Sequence, residues 1–141
     1  MAPEEQEVIT VEITSPGTQP LSRDAREVIL PGRSGVFSVR PGHTPMLSTL
    51  RSGVLVLTTM DGTDTHFAVH EGFAEVLDNH VRILTPQYEQ GEHIDVDRAE
   101  EARERAEQAL ARKDAELDAA RAEAALHRAM ARLGAHRGES I

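Results

Sequence analysis

The sequence predicts an α+β protein in which an N-terminal antiparallel β-sandwich is followed by a C-terminal antiparallel two-helix hairpin. Three observations predict it. From Glu7 to Thr85 apolar residues recur with a period of two, in short runs broken by turn signals. From Ile94 to Leu133 there is neither Pro nor Gly, and small apolar residues recur at three- and four-residue spacing. Between them lies a polar stretch, Gln87–His93, that contains Gly91. The expected organisation is a sandwich over residues 1–86, a flexible linker over 87–93 and a hairpin over 94–141.

The strands follow in order. Glu7–Ile13 alternates through Ile9, Val11 and Ile13, and Ser15-Pro16-Gly17 ends it as a turn. Arg26–Leu30 is closed by Pro31-Gly32 and then Ser34-Gly35, and the short run Val36–Val39 stops at Pro41-Gly42. Met46–Leu50 precedes Ser52-Gly53. Val54–Met60 is apolar at nearly every position, so it is expected to be buried on both faces. Asp61-Gly62 is a hairpin turn candidate, and His66–His70, Phe73–Leu77 and Val81–Leu84 complete the series. Many short strands with frequent turns make a sandwich or flattened barrel.

The helical part divides at Lys113-Asp114 into arms expected over Val96–Ala111 and Ala115–Leu133. Ala99, Ala102, Ala106 and Leu110 form the expected stripe of the first arm. Ala119, Ala122, Leu126, Met130 and Leu133 form that of the second. A seam made mostly of Ala buries little area, and at roughly 25 cal/mol per Å² it is weak. Helices of about 15 residues are marginal alone in water. The hairpin is therefore expected to detach or straighten with little cost, and the tail beyond Leu133 (Gly134, Gly138, Ser140) to fray.

Arginines give this hairpin a chemical character. Arg121, Arg128 and Arg132 share one helix face. Arg128 and Arg132 repel at i,i+4 unless an anion lies between them. Folding back about Asp114 sets Arg98 beside them, next to the positive N-terminal end of the first helix. Arg98, Arg128 and Arg132 thus point to a phosphate site. The plain alternative is a solvated basic face balanced by Glu100, Glu101 and Glu104.

Composition excludes several classes. A net charge of −9 argues against a nucleic-acid binder. With no Cys, neither disulfides nor thiolate metal sites form. The acidic, alternating N-terminus reads as strand rather than signal peptide, and no apolar run approaches the roughly 18 residues of a membrane helix. No phosphate-binding Gly loop, nucleophile elbow or paired carboxylates mark a catalytic centre. Among seven His, His66 and His70 lie in a strand pattern, where i,i+4 makes no helical metal pair, and both read as ordinary surface residues. His93 and His127 flank the arginine cluster. Pro41-Gly42-His43-Thr44-Pro45-Met46-Leu47 is a rigid protruding loop. His43, Met46 and Leu47 read as a docking surface, with at least one of the two apolar residues tucked into the sandwich edge.

Four motifs carry a resemblance. Leu30-Pro31-Gly32, Pro41-Gly42-His43-Thr44-Pro45, Gly72-Phe73-Ala74-Glu75-Val76 and Ile94-Asp95-Val96-Asp97-Arg98-Ala99 occur in that order before the hairpin. Together they resemble the epsilon subunit of bacterial F-type ATP synthase over nearly the whole chain. The resemblance implies a non-catalytic sandwich at the foot of a rotating central stalk, touching the gamma subunit and the membrane c-ring. It implies a hairpin that extends toward the catalytic alpha and beta subunits and blocks ATP hydrolysis. It implies no required cofactor, with ATP as a regulatory ligand at Asp95, Arg98, Arg128 and Arg132 and an upstream acid at Glu89. Membrane association would come only through the complex, at the cytoplasmic face of the cell inner membrane. The chain departs from the family at Val36, where an acid is common, at Arg40, where an apolar residue is usual, and over Pro20–Arg26. A free-standing ATP-sensing module is the alternative of a different class. A sandwich enzyme or sugar-binding domain fits less well, because aromatic platforms are lacking.

Overall fold

The computed structural model describes residues 8–112 and 116–139, with side-chain surroundings for all of these except 116–118. Ten strands precede two helices: β1 (Ile9–Thr14), β2 (Leu21–Ala25), β3 (Glu27–Gly32), β4 (Gly35–Val39), β5 (Met46–Leu50), β6 (Gly53–Thr58), β7 (Asp64–Val69), β8 (Gly72–Leu77), β9 (His80–Leu84), β10 (Tyr88–Gln90), then α1 (Val96–Arg112) and α2 (Glu116–Arg137). The strands make two leaves, β10-β7-β6-β3-β4 and β5-β8-β9-β1-β2, joined where Gly32 of β3 pairs with Leu50 of β5. Pairing is antiparallel except between β1 and β9, which run parallel.

The period of two dictates the interior. Ile9, Val11 and Ile13 of β1, Val28 and Leu30 of β3, Leu55 and Leu57 of β6 and Val81 and Ile83 of β9 form one aliphatic core between the leaves. The intervening residues Val54 and Val56 of β6, with Ala68 of β7, face outward into a second cluster with Ile94, Ala131 and Ala135. β6 is therefore buried on both faces, as its continuous apolar run requires, because α2 covers its outer side.

One strand was not expected, and three expectations need correction. Leu21–Ala25 is a strand that the sequence hides: among the described residues it pairs only with β1, and its polar residues suit a sheet edge. Tyr88–Gln90, expected within a linker, pairs with β7 as β10, and Tyr88 packs on Phe67 at a ring-centroid distance of 6.2 Å. A single 3₁₀ turn, Gly91–His93, then leads to the hairpin. The tail expected to fray is helical to Arg137, with Ala135 buried against the sheet. Met130, placed in the apolar stripe, is exposed, and Ala119 with it, while Ala129 and Ala131 are buried. The reason is that α2 has two covered faces. Ala122, Ala129 and Leu133 share one, and Ala131 and Ala135 the other. The expected turn at Lys113-Asp114 lies outside the described residues.

Candidate functional site

The site lies where β10, the start of α1 and the end of α2 meet. Asp95 precedes α1 and caps it: its Oδ1 accepts a hydrogen bond from the Arg98 amide at 3.1 Å. This fixes where the helix begins and so where Arg98 stands, one turn in. Glu89 is carried by β10, which the pairing with β7 holds in place. Arg132 comes from α2, which Ala131 and Ala135 press onto the sheet. Gly91 makes that approach possible. A Cβ there would lie 2.2 Å from the carbonyl oxygen of Ala135, and His136 Nδ1 bonds the Gly91 carbonyl at 3.1 Å.

These elements enclose a cavity of about 450 Å³ lined by Glu89, His93, Asp95, Arg98, Arg105 and Arg132 among others. That size is within the usual range for small-ligand pockets. Of the residues expected at a phosphate site, the fold brings Arg98 and Arg132 into this cavity with Asp95 and Glu89. Arg128 faces a neighbouring groove of about 580 Å³ between the helices, which it lines with Arg105, Arg112 and Arg121. Arg105 borders both spaces. Sequence reasoning missed it, although it stands seven residues after Arg98 and so on the same helix face. Ala102, Ala106, Ala109, Ala122 and Ala125 floor the groove and leave it open. His127, expected to flank the cluster, lies instead by Arg51 and Met130.

One carboxylate organises the charges. Glu89 Oε2 accepts from Arg132 Nε at 2.6 Å and from His70 Nε2 at 3.1 Å. Burial opposes ionisation of Glu89, but the hydrogen bonds from Arg132 and His70 outweigh it and hold the carboxyl below its ordinary range. Arg132 is thus neutralised by a protein carboxylate. His70 is no surface residue. It is 5% exposed at the end of β7, and its Nδ1 is buried with no hydrogen-bond partner among the described residues. Burial lowers its pKa, the bond to Glu89 opposes this, and the Arg132 and Arg128 charges reinforce the lowering. The ring is neutral at neutral pH, so its contact with Glu89 is a hydrogen bond rather than an ion pair. Strand parity could have revealed it: His70 shares with Ala68 the outward face of β7, beside the covered outward face of β6.

A second candidate surface is the outer face of the β5-β8-β9 leaf. Leu47, Phe73, Leu77 and Leu84 are exposed there, Leu47 at 73%, interspersed with Glu75 and Arg82. In the adjoining loop His43 is half-buried, its Nδ1 within 2.7 Å of the Thr44 carbonyl, and the Gly42 amide bonds Asn79 Oδ1. Met46 packs against the sandwich core, so Leu47 rather than Met46 presents an apolar side chain outward. Among the described residues no cluster of His, Asp or Glu is placed to hold a metal ion, and no helix is long and apolar enough to cross a membrane.

Known proteins share this architecture. Residues 8–91 match the family described as ATP synthase, Delta/Epsilon chain, beta-sandwich domain, and residues 92–136 match its long alpha-helix domain. The chain is 41% identical over 105 residues to an ATP synthase epsilon chain of Desulfitobacterium hafniense, covering 74% of this chain and 79% of that one. It is 44% identical over 108 residues to an ATP synthase epsilon chain of Nitratidesulfovibrio vulgaris, covering 77% and 80%. In fold it is similar to a chain of the Euglena gracilis mitochondrial ATP synthase, with a TM-score of 0.78 at 24% identity over 92% of this chain and 81% of that one. The sandwich, the hairpin and these matches across both parts show that the chain belongs to the ATP synthase epsilon-chain family.

Proposed function

We propose that this epsilon chain is a non-catalytic subunit of the central stalk of a proton- or sodium-driven rotary ATP synthase, and that its hairpin is an ATP-responsive brake on hydrolysis. The observation that supports this most is the cavity itself. It takes Glu89 from the sheet, Asp95, Arg98 and Arg105 from the first arm and Arg132 from the second, so straightening the hairpin dismantles it. A ligand that binds only the assembled cavity favours the folded state by mass action, by about 2.7 kcal/mol at a hundred times its Kd. Against a seam built largely of Ala, that is a substantial bias.

In this reading Arg98, Arg105 and Arg132 contact the phosphates of ATP in the cavity, and Arg128 meets them from the adjoining groove that Arg105 also borders. Asp95 reaches base or ribose with the carboxylate oxygen that does not cap α1. Glu89 orients Arg132. ATP is a regulatory ligand, and no cofactor is required. The exposed face bearing Leu47, Phe73 and Leu84, with His43 at its edge, meets the gamma subunit, and the sandwich also docks on the membrane c-ring. The released hairpin reaches the alpha and beta subunits. The chain is then peripheral, at the cytoplasmic face of the inner membrane, held there through the complex.

The reading is tested by deleting residues 94–141 and reassembling the synthase. Assembly with the gamma subunit is retained and ATP hydrolysis rises. Unchanged hydrolysis in a competent complex removes the brake, and failure to co-purify with a stalk subunit favours a free-standing nucleotide sensor.

A further inference from the structure

We propose that His70 is a positioning residue that fixes the seat of the hairpin on the sandwich, and that protonating its ring releases α2. The geometry is a three-member chain across the boundary between the two parts: His70 at the end of β7, Glu89 on β10 and Arg132 on α2. Both bonds converge on the same oxygen, Glu89 Oε2. A neutral His70 with its proton on Nε2 donates to that oxygen and leaves Nδ1 as a bare lone pair. This suits the site, since buried Nδ1 has no partner among the described residues.

A second proton has nowhere to go. It would create a buried N–H donor without an acceptor, which is costly. It would also add positive charge facing two guanidiniums. The groups acting on the ring are Glu89 from β10 and Arg132 and Arg128 from α2. Neighbouring β6 carries no titratable side chain, and in the 3₁₀ turn Glu92 is bonded to Gln90, while His93 borders the cavity. Glu89 is already shared with Arg132, so one carboxylate serves two cationic groups once His70 is charged.

Seating therefore excludes the proton and unseating admits it. With the hairpin away, His70 meets water and titrates near its ordinary value of about 6.5. Seated, its pKa is lower. A lowered pKa means that the seated state binds fewer protons. The contribution to seating is fully present above about pH 6.5 and is lost as pH falls below it, by up to tenfold in the seating equilibrium per pH unit. No nucleotide enters this argument, so acidification and nucleotide are separate inputs to the same element.

The test uses the full chain without nucleotide. The chain contains no Cys, so Ser22→Cys and Gln108→Cys, both at exposed positions, carry a fluorescent pair that reports the separation of sandwich and hairpin. The seated fraction falls as pH drops from 8 to about 5.5, with a slope approaching one proton. His70→Gln keeps an N–H donor for Glu89 but does not titrate, and its seating is flat over the same range. A flat wild-type profile, or an equal fall in His70→Gln, overturns the proposal. If that variant does not fold, ring ¹⁵N shifts of wild-type His70 decide. A neutral Nε2–H tautomer at pH 8 supports the proposal, and a Nδ1–H tautomer overturns it. Titrating ATP at pH 8 separates the two ideas: loss of ATP binding there contradicts the nucleotide reading and leaves the proton effect standing.

Discussion

Replacing Gly91 by Ala should loosen the hairpin without unfolding the sandwich. Gly91 is buried in the 3₁₀ turn, and its φ is not positive, so Ala can adopt the same backbone. The obstacle is external. The new Cβ would sit 2.2 Å from the Ala135 carbonyl oxygen, 2.8 Å from its carbon and 3.3 Å from the His136 amide nitrogen. Carbon–oxygen contacts settle near 3.3 Å, so the last turn of α2 must retreat by about 1 Å. All three atoms are backbone, and no side chain can rotate away. Overpacking of this kind costs about 1–3 kcal/mol. The reduced freedom of the unfolded chain returns about 0.4–1 kcal/mol to overall stability, but it does not favour the seated over the released hairpin. At about 1.4 kcal/mol per factor of ten, the released population rises roughly 5- to 150-fold. The fluorescent pair at Ser22 and Gln108 reads this directly, and hydrogen exchange in α2 should quicken while that in β1 and β9 does not. Unchanged seating and exchange would refute the close packing of Gly91 on α2.

Gly72 offers the contrasting case. Its φ is +125° and a Cβ would meet the Leu84 carbonyl oxygen at 2.0 Å, so Gly72→Ala strains the backbone and parts β8 from β9. It should cost the sandwich about 2–4 kcal/mol, seen as a lower midpoint in urea, with any change in hairpin seating secondary. Deleting residues 94–141 uncovers Val54, Val56 and Ala68, now hidden by α2. The truncated sandwich should stay folded on its inner core yet bind a hydrophobic dye more than the full chain does, and equal binding would show that α2 does not cover this face.

How much of this was legible depended on whether a residue's neighbours were implied by its own segment. Alternation in β1 and the continuous run in β6 each state which sides are buried, and the structure follows them. α2 is different. Ala fits either a helix–helix seam or a helix–sheet contact, so its composition cannot say which of two covered faces a given Ala occupies. Met130, the largest residue of the expected stripe, proves exposed, while Ala131 and Ala135 carry the contact with β6 and β7. β10 was hidden because Tyr88-Glu89-Gln90 is polar and gains its strand only from pairing with β7. That arginines from both arms meet could be found from helical spacing and the fold-back, as Arg98 and Arg132 show by lining one cavity. Glu89 entered only through the family resemblance, since its bond to Arg132 spans 43 positions. His70 was misread because a strand residue looks exposed until the helix that covers it is placed.

The central claim is that the folded hairpin holds ATP through arginines from both of its arms. Calorimetric titration of the isolated chain with ATP tests it most directly, beside Arg128→Ala and Arg132→Ala. Losing one charge-assisted phosphate contact costs about 1.5–3 kcal/mol, so each variant should bind at least tenfold more weakly while its sandwich stays folded. Absence of binding by the wild-type chain at millimolar ATP, or equal binding by all three proteins, would contradict the account and leave the arginines a solvated face.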